Sequence, residues 1–89
     1  MIVKFRDLTF NPSVFAWWTL EKLYDGHGKR YYDLCSVNFY SVTPRYQENQ
    51  LLADMVINFS TVTEAERFLY SLNTNLAAGM PYCEIEEEE

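Results

Sequence analysis

Alternation of apolar and polar positions is the clearest pattern in the chain, and it predicts strands. Residues 2–8 alternate Val3 and Phe5 with Lys4 and Arg6, a period of two that is typical of a strand with one face in water. Residues 31–40 alternate along their whole length and form the second predicted strand. Its two faces are Tyr31, Asp33, Cys35, Val37 and Phe39 on one side and Tyr32, Leu34, Ser36, Asn38 and Tyr40 on the other.

Two further strands follow from the same kind of pattern. The polar segment 43–50, which contains the breaker Pro44, joins residues 31–40 to the apolar run 51–59. We therefore expect these two strands to form an antiparallel hairpin. Residues 82–85 alternate briefly before a run of glutamates, which predicts a short edge strand at the end of the sheet.

A helix is predicted after residue 60 by two overlapping capping boxes. Thr61 with Glu64, and Thr63 with Glu66, each place a hydroxyl and a carboxylate where the first free N–H groups of a helix need partners. Residues 73–75 are expected to end this helix. Its apolar positions recur at helical spacing and are Ala65, Phe68, Leu69 and Leu72.

Residues 14–25 are open to two interpretations, a helix or a strand. Asn11 and Pro12 are typical of a helix start, and Gly26 of a helix stop. The apolar residues between them, Ala16, Trp17, Leu20, Leu23 and Tyr24, have nearly helical spacing. The alternative is a β-hairpin whose loop is residues 25–28, because tryptophan, tyrosine and threonine flank that loop and favour strands.

The helical interpretation gives the order βαββαβ, a ferredoxin-like α+β fold with two helices on one face of an antiparallel sheet. The alternative gives a four- or five-stranded antiparallel sheet with one helix. The chain has 89 residues, of which 48% are hydrophobic and 17% aromatic, so we expect a single domain over residues 1–85 and an acidic tail over residues 86–89.

The charge is distributed unevenly along the chain. The formal net charge is −6, but residues 1–83 carry eight acids and seven bases, so the excess lies at the end. We expect this end to engage a basic groove of a partner, although it could also serve only solubility. The five acidic residues concerned are Glu84, Glu86, Glu87, Glu88 and Glu89.

Catalytic, metal and cofactor sites are not expected. The single histidine, His27, lies between two glycines, where nothing would hold it as a catalytic base. Cys35 and Cys83 are too isolated for a zinc site and are expected to be reduced and unpaired. Without a signal peptide or a membrane-spanning apolar run, we expect a non-enzymatic cytoplasmic protein that does not contact membranes.

RNA binding is a further hypothesis, and the sequence offers one argument for it and two against it. A βαββαβ sheet would expose Lys4, Arg6, Tyr32, Tyr40, Asn58 and Tyr82 on its open face, a composition that suits base stacking. Residues 52–57, however, offer an acid and aliphatic residues where the RNA-recognition module has a basic residue, a glycine and alternating aromatics. Only seven residues are basic, so phosphate contacts would be few and we do not expect nucleic acid as the partner.

Adjacent tryptophans supply the candidate protein-binding residues. Two neighbouring side chains cannot both face the core, and Trp17 aligns with Leu20 and Tyr24 on a helix. We therefore expect Trp17 to be buried and Trp18 to be the exposed anchor of an interface. Tyr32, Tyr40 and Tyr46 are expected to enlarge that interface.

In size, in charge distribution and in the strand and capped helix of residues 58–72, the chain resembles small phage-encoded inhibitors, anti-CRISPR proteins among them. The resemblance assigns a role to no residue. It implies a protein-binding inhibitor of a host defence or nucleic-acid-processing complex, acting in the host cytoplasm. The other hypotheses are a structural module that forms a homo-oligomer, such as a homodimer, and a single-stranded RNA-binding domain.

Overall fold

The computed structural model describes the backbone of residues 1–24 and 30–87 and the side chains of residues 1–22 and 34–87. Within these residues it has eight strands, one turn of 3-10 helix and one α-helix. In chain order they are β1 (Ile2–Phe5), β2 (Leu8–Phe10), the 3-10 turn (Pro12–Val14), β3 (Phe15–Tyr24), β4 (Arg30–Ser41), β5 (Arg45–Gln47), β6 (Gln50–Leu52), β7 (Met55–Phe59), α1 (Val62–Ala77) and β8 (Tyr82–Ile85).

The strands form two three-stranded sheets and a separate hairpin. One sheet has the order β2-β1-β8, in which β1 is antiparallel to β2 and parallel to β8. The other has the antiparallel order β3-β4-β7, and β5 pairs with β6. The α+β class is confirmed. The ferredoxin-like arrangement with two helices is not, and the alternative with one helix describes the protein better.

The predicted first helix is wrong, because residues 15–24 form β3, an antiparallel partner of β4. Apolar residues lie on both faces of this strand, which removes the simple alternation of a half-buried strand. A register shift between Phe15 and Trp17 disturbs the alternation further. It brings Phe15 and Trp18, which are three positions apart, to the same side of the strand against Phe39. A bulged strand with two apolar faces therefore resembled a helix.

The helix-start signal at Asn11 and Pro12 is real but local. The Asn11 side chain accepts a hydrogen bond from the Ser13 N–H at 3.0 Å, and Pro12 occupies the first turn. Only one 3-10 turn follows, because Phe15 is already extended at its end. The predicted stop at Gly26 and the hairpin loop 25–28, with His27, lie outside the described residues.

The helix α1 confirms the capping prediction at Thr61. Its hydroxyl accepts a hydrogen bond from the Glu64 N–H at 3.2 Å, and the helix begins at Val62. The helix continues past the expected end at 73–75 to Ala77. There Gly79, with φ of +69°, closes it: the Gly79 N–H donates to Leu76 O at 3.1 Å and the next N–H to Asn75 O at 3.1 Å.

Two predicted strands are each divided by a turn. Residues 2–8 give β1 and β2, joined at Arg6, whose φ is +55°. The run 51–59 gives β6 and β7, and the supposed linker 43–50 contributes β5. Glu48 and Asn49 have φ of +51° and +65°, the conformation that a two-residue hairpin turn requires. The predicted antiparallel pairing of 31–40 with 51–59 is confirmed by β4 and β7.

The core lies between the two sheets and α1, which contacts β4, β7 and β8. Phe68 is its centre: its ring lies 4.7 Å from that of Phe5 and 5.5 Å from that of Phe59. One ring thus joins a strand from each sheet to the helix. Phe68 and Leu72 are buried as predicted, and the other core residues are Val3, Phe5, Cys35, Val37, Phe39, Ile57, Phe59, Ala65, Cys83 and Ile85.

Candidate binding surfaces

In the described part of the chain, the β3-β4-β7 sheet has one face against α1 and one face that no helix covers. On β4, Cys35, Val37 and Phe39 are fully buried against the core, while the intervening residues point the other way. The pairing of the three strands then identifies the side chains that point away from the core, and we call the surface they form the outer face. Its members are Trp17, Thr19 and Glu21 from β3, Leu34, Ser36, Asn38 and Tyr40 from β4, and Val56 and Asn58 from β7.

An aromatic stack dominates the outer face. Trp17 lies opposite Tyr40, with ring centroids 5.1 Å apart and planes only 17° from parallel. The indole shields the phenol ring, so Tyr40 is 8% exposed and Trp17 is 38% exposed. The stack presents one face of a large apolar ring to solvent on a rigid two-strand support.

Beside this stack, the polar groups of β4 satisfy one another. The Ser36 hydroxyl donates to Asn38 Oδ1 at 2.9 Å, and Asn38 Nδ2 donates to the Tyr40 hydroxyl at 3.5 Å. On β3, the Thr19 hydroxyl donates to the Glu21 carboxylate at 3.0 Å. These polar side chains of the outer face are therefore held in place before any partner arrives.

The expected roles of the two tryptophans are reversed. Trp18 is half-buried, its ring centroid lies 5.5 Å from that of Phe39, and its indole N–H donates to Asn73 Oδ1 at 3.4 Å. Trp17 is the exposed member. The error follows from the wrong helix: on a helix Trp17 aligns with Leu20, whereas on the strand Trp18 does.

The remaining candidate tyrosines do not gather around one site. Tyr40 lies on the outer face, but Tyr46 is on β5 in the separate hairpin, where it is strongly exposed. The Tyr32 side chain is outside the described residues. The predicted RNA-binding face is also divided, because Lys4 and Tyr82 belong to the β2-β1-β8 sheet and Tyr40 to the other.

A second surface lies between α1 and the segment that follows β8. It is a cavity of about 410 Å³, which we call the acidic groove. Its floor consists of buried side chains and its walls of exposed or half-buried ones. The floor is Phe5, Phe59, Phe68 and Ile85, and the walls are mainly Glu64, Glu66, Arg67 and Tyr70 from α1 and Glu86 and Glu87 from the tail.

The described part of the acidic tail is attached to the body of the protein. Glu87 accepts a hydrogen bond from Arg6 Nε at 2.9 Å, and another guanidinium nitrogen of Arg6 donates to Asn58 O at 2.7 Å. The same guanidinium lies 4.8 Å from the centre of the Phe5 ring and 4.9 Å from that of Phe59. Of the other acidic residues expected to bind a partner, Glu86 lines the acidic groove, Glu84 is exposed on β8, and Glu88 and Glu89 lie outside the described residues.

Both cysteines are buried, Cys35 on β4 and Cys83 on β8, and their reduced state stays a prediction. Burial raises the pKa of the Cys83 thiol. At the start of the β5–β6 hairpin, Arg45 forms an ion pair with Asp54. Hydrogen bonds from Ser41, and then those from Arg45 together with its charge, lower the pKa of the Asp54 carboxyl below its ordinary value.

Sequence analysis missed Trp17 as a surface residue and missed the acidic groove altogether. The groove has no sequence signal, because it forms only when the tail lies beside α1. Among the described residues, no cluster of three or more histidine, cysteine or acidic side chains is arranged to hold a metal ion. In that same part of the chain, no helix has the length and apolar character needed to cross a membrane. No known protein family, curated protein or solved structure matches the chain.

Proposed function

We propose that this protein is a non-enzymatic protein-binding module that inhibits a host defence or nucleic-acid-processing complex by covering one of its surfaces in the cytoplasm. The observation that carries the proposal is the Trp17–Tyr40 stack on the outer face. Tryptophan and tyrosine are the residues most enriched among those that dominate binding energy at protein interfaces. Here an exposed Trp17 is stacked on a largely buried Tyr40 on a preorganised sheet.

The distribution of polar groups supports a protein partner. The outer face combines the aromatic stack with exposed Leu34 and Val56 and with the satisfied polar groups of Ser36 and Asn38. A mixture of aromatic, aliphatic and neutral polar groups is typical of the centre of a protein interface. The two thiols are buried, so neither presents a nucleophile to a substrate at the surface.

The acidic end supports a partner with a basic surface. Five of the thirteen acidic residues fall in the last six positions, which concentrates negative charge at one end of a nearly neutral body. Such a charge accelerates association with a basic partner over about 8–10 Å at physiological salt. Deletion of residues 86–89 should therefore slow association and flatten its dependence on salt.

The test compares how much partner three immobilised proteins capture from a cell lysate: the unaltered chain, Trp17→Ala and Tyr82→Ala. Tyr82 is an exposed aromatic residue of the other sheet and serves as the matched control. We expect a protein complex to be retained by the unaltered chain and by Tyr82→Ala and lost from Trp17→Ala. Loss of the anchor should cost about 2–4 kcal/mol of affinity, mainly through faster dissociation.

The decisive step uses the purified target. The unaltered chain should inhibit its activity, and Trp17→Ala should not do so at the same concentration. Equal capture and equal inhibition by the two proteins would refute a role for the Trp17–Tyr40 stack. Circular dichroism of both variants establishes that each is folded.

One observation favours a second candidate, a homodimer. In the described residues, β3 is the outermost strand of its sheet and is ten residues long, so its outer edge has no paired strand. Long edge strands readily pair with a second copy of themselves. Sedimentation velocity over a wide range of concentrations tests this candidate, which predicts a dimer in the absence of any other protein.

A further inference from the structure

We propose that Arg6 is a latch that holds the acidic tail against the body of the free protein, and that a basic partner must displace Arg6 before it can bind Glu87 directly. The inference rests on the proposed function, because it concerns how the acidic tail meets the partner. The latch itself is a contact within the chain, so it can be measured without any partner.

The pairing of β1 with β8 brings the two halves of the latch together. Phe5 lies opposite Ile85 in this parallel pair, so both segments leave the sheet at the same end. Arg6 follows Phe5 directly, and its Nε donates to the Glu87 carboxylate at 2.9 Å, across 81 positions of the sequence. The first residues of the tail are therefore fixed to the body of the protein.

The guanidinium of Arg6 is itself held by both sheets. Its Nη1 donates to Asn58 O on β7 at 2.7 Å. Its centre lies 4.8 Å from the centre of the Phe5 ring and 4.9 Å from that of Phe59. A guanidinium can make all these contacts at once, because its donors lie in one plane and its face is free to stack. Glu87 therefore pairs with a cation that is already oriented.

The backbone at this position also directs attention to the arginine side chain. Arg6 has a φ of +55°, in the left-handed region that residues other than glycine, asparagine and aspartate seldom adopt. A glycine would form the turn between β1 and β2 without strain. The contacts of its side chain with both sheets and with the tail are what distinguish Arg6 from an ordinary turn residue.

Like charges oppose the attached position of the tail. The lining of the acidic groove has four acidic residues and one basic residue, with two glutamates from α1 and two from the tail. Their repulsion favours a detached tail, whereas Arg6 favours an attached one. The side chains of Arg6 and Glu87 are 29% and 50% exposed, so water and salt weaken their pairing. The latch is therefore closed only by a small margin and can open.

The latch separates two effects of the tail on a basic partner. The charge of the tail attracts the partner from a distance in either position, because the latch pairs only the Glu87 carboxylate. Direct contact with Glu87 requires a cation of the partner to replace Arg6. The fraction of molecules with an open latch then limits the apparent affinity for that contact.

The first measurement detects the latch in the protein alone, by NMR of the Arg6 Nε–H group and of the tail amides. Glu87→Ala should speed the exchange of this N–H with water and increase the fast motion of the tail amides. Glu86→Ala is the matched control: it removes the same charge one position away, from a residue that does not pair with Arg6. It should leave the Nε–H exchange unchanged, and equal effects of the two variants would overturn the proposal.

The second measurement titrates the protein at low salt with an end-blocked hexalysine peptide. Arg6→Gln should bind the peptide about two- to fivefold more tightly, the factor expected when one exposed ion pair no longer competes. Lys4→Gln removes the same charge from an exposed position of β1 and should have a much smaller effect. No gain for Arg6→Gln, or an equal gain for Lys4→Gln, would overturn the proposal. If Arg6→Gln does not fold, the two tail variants decide alone.

The outcome is separate from that for the proposed function. Trp17→Ala should leave the exchange of the Arg6 Nε–H unchanged, because Trp17 is on the outer face. If Trp17→Ala loses the partner while Glu87→Ala and Glu86→Ala behave alike, the latch fails alone. If the latch is detected but Trp17→Ala captures and inhibits the target normally, the role of the outer face fails alone.

Discussion

Replacement of Phe68 by alanine should destabilise this protein more than any surface change, because Phe68 joins both sheets to α1. Its side chain is 2% exposed, and its ring contacts those of Phe5 and Phe59. Removing a buried phenylalanine ring costs about 3–5 kcal/mol, which combines the lost apolar burial with the cavity left behind. A protein of 89 residues has a total stability of about 5–13 kcal/mol, so this loss is a large share of it.

Urea unfolding followed by circular dichroism measures the effect. The matched control is Tyr70→Ala, which also replaces an aromatic residue of α1 by alanine but at a position that is 75% exposed. It should change the free energy of unfolding by no more than about 0.5 kcal/mol. If Phe68→Ala does not fold, Phe68→Leu keeps most of the buried volume and should cost about 1–2 kcal/mol. Equal midpoints for the Phe68 and Tyr70 variants would refute the packing described for α1.

Three other predictions concern the thiols, the helix cap and the response to acid. Both cysteines are expected to be reduced, so two thiols per chain should react with Ellman's reagent in the denatured, unreduced protein. Because both are buried, the native protein should react slowly, and a rapid native reaction would contradict their burial. Thr61→Ala removes the cap of α1 and should cost about 0.5–2 kcal/mol in urea unfolding, while Thr63→Ala should cost much less, and equal losses would mean that the cap is misplaced. Hydrogen bonding from Ser41 and then the Arg45 guanidinium lower the pKa of Asp54. The ionised Asp54 carboxylate therefore stabilises the folded protein at pH values above the ordinary pKa of an aspartate, about 3.9, and this stabilisation is lost as the pH falls through the lower pKa of the folded state. An NMR titration of Asp54 with a midpoint at or above the ordinary pKa would contradict this.

Local signals in the sequence predicted the elements whose structure depends on nearby residues. The hydroxyl of Thr61 and the N–H of Glu64 bond within one turn, so the predicted start of α1 is correct. The alternation around Val37 is also correct, because β4 is covered by α1 on one side and open on the other. In both cases the pattern of residues within the segment was enough to predict its secondary structure.

Features that depend on distant segments were not predictable in this way. Trp17 is exposed because β3 pairs with β4 through a bulge, and nothing within residues 15–24 specifies that bulge. Division of the strands into two sheets follows from the pairing of β1 with β8, which no periodicity encodes. The acidic groove needs that pairing as well, since it brings Glu86 and Glu87 beside α1.

Pairing of β1 with β8 has a consequence for the order of events during synthesis. Ile2 lies opposite Tyr82, eighty positions further along the chain, so β1 is made long before its parallel partner exists. Meanwhile Val3 and Phe5 can pair only with β2, a strand of three residues, and a two-stranded hairpin is marginally stable in water. Closing so large a loop also slows folding. Until residues 82–85 have been synthesised, the apolar residues of β1 therefore lack their parallel partner strand, and an unpaired apolar strand is prone to incorrect pairing.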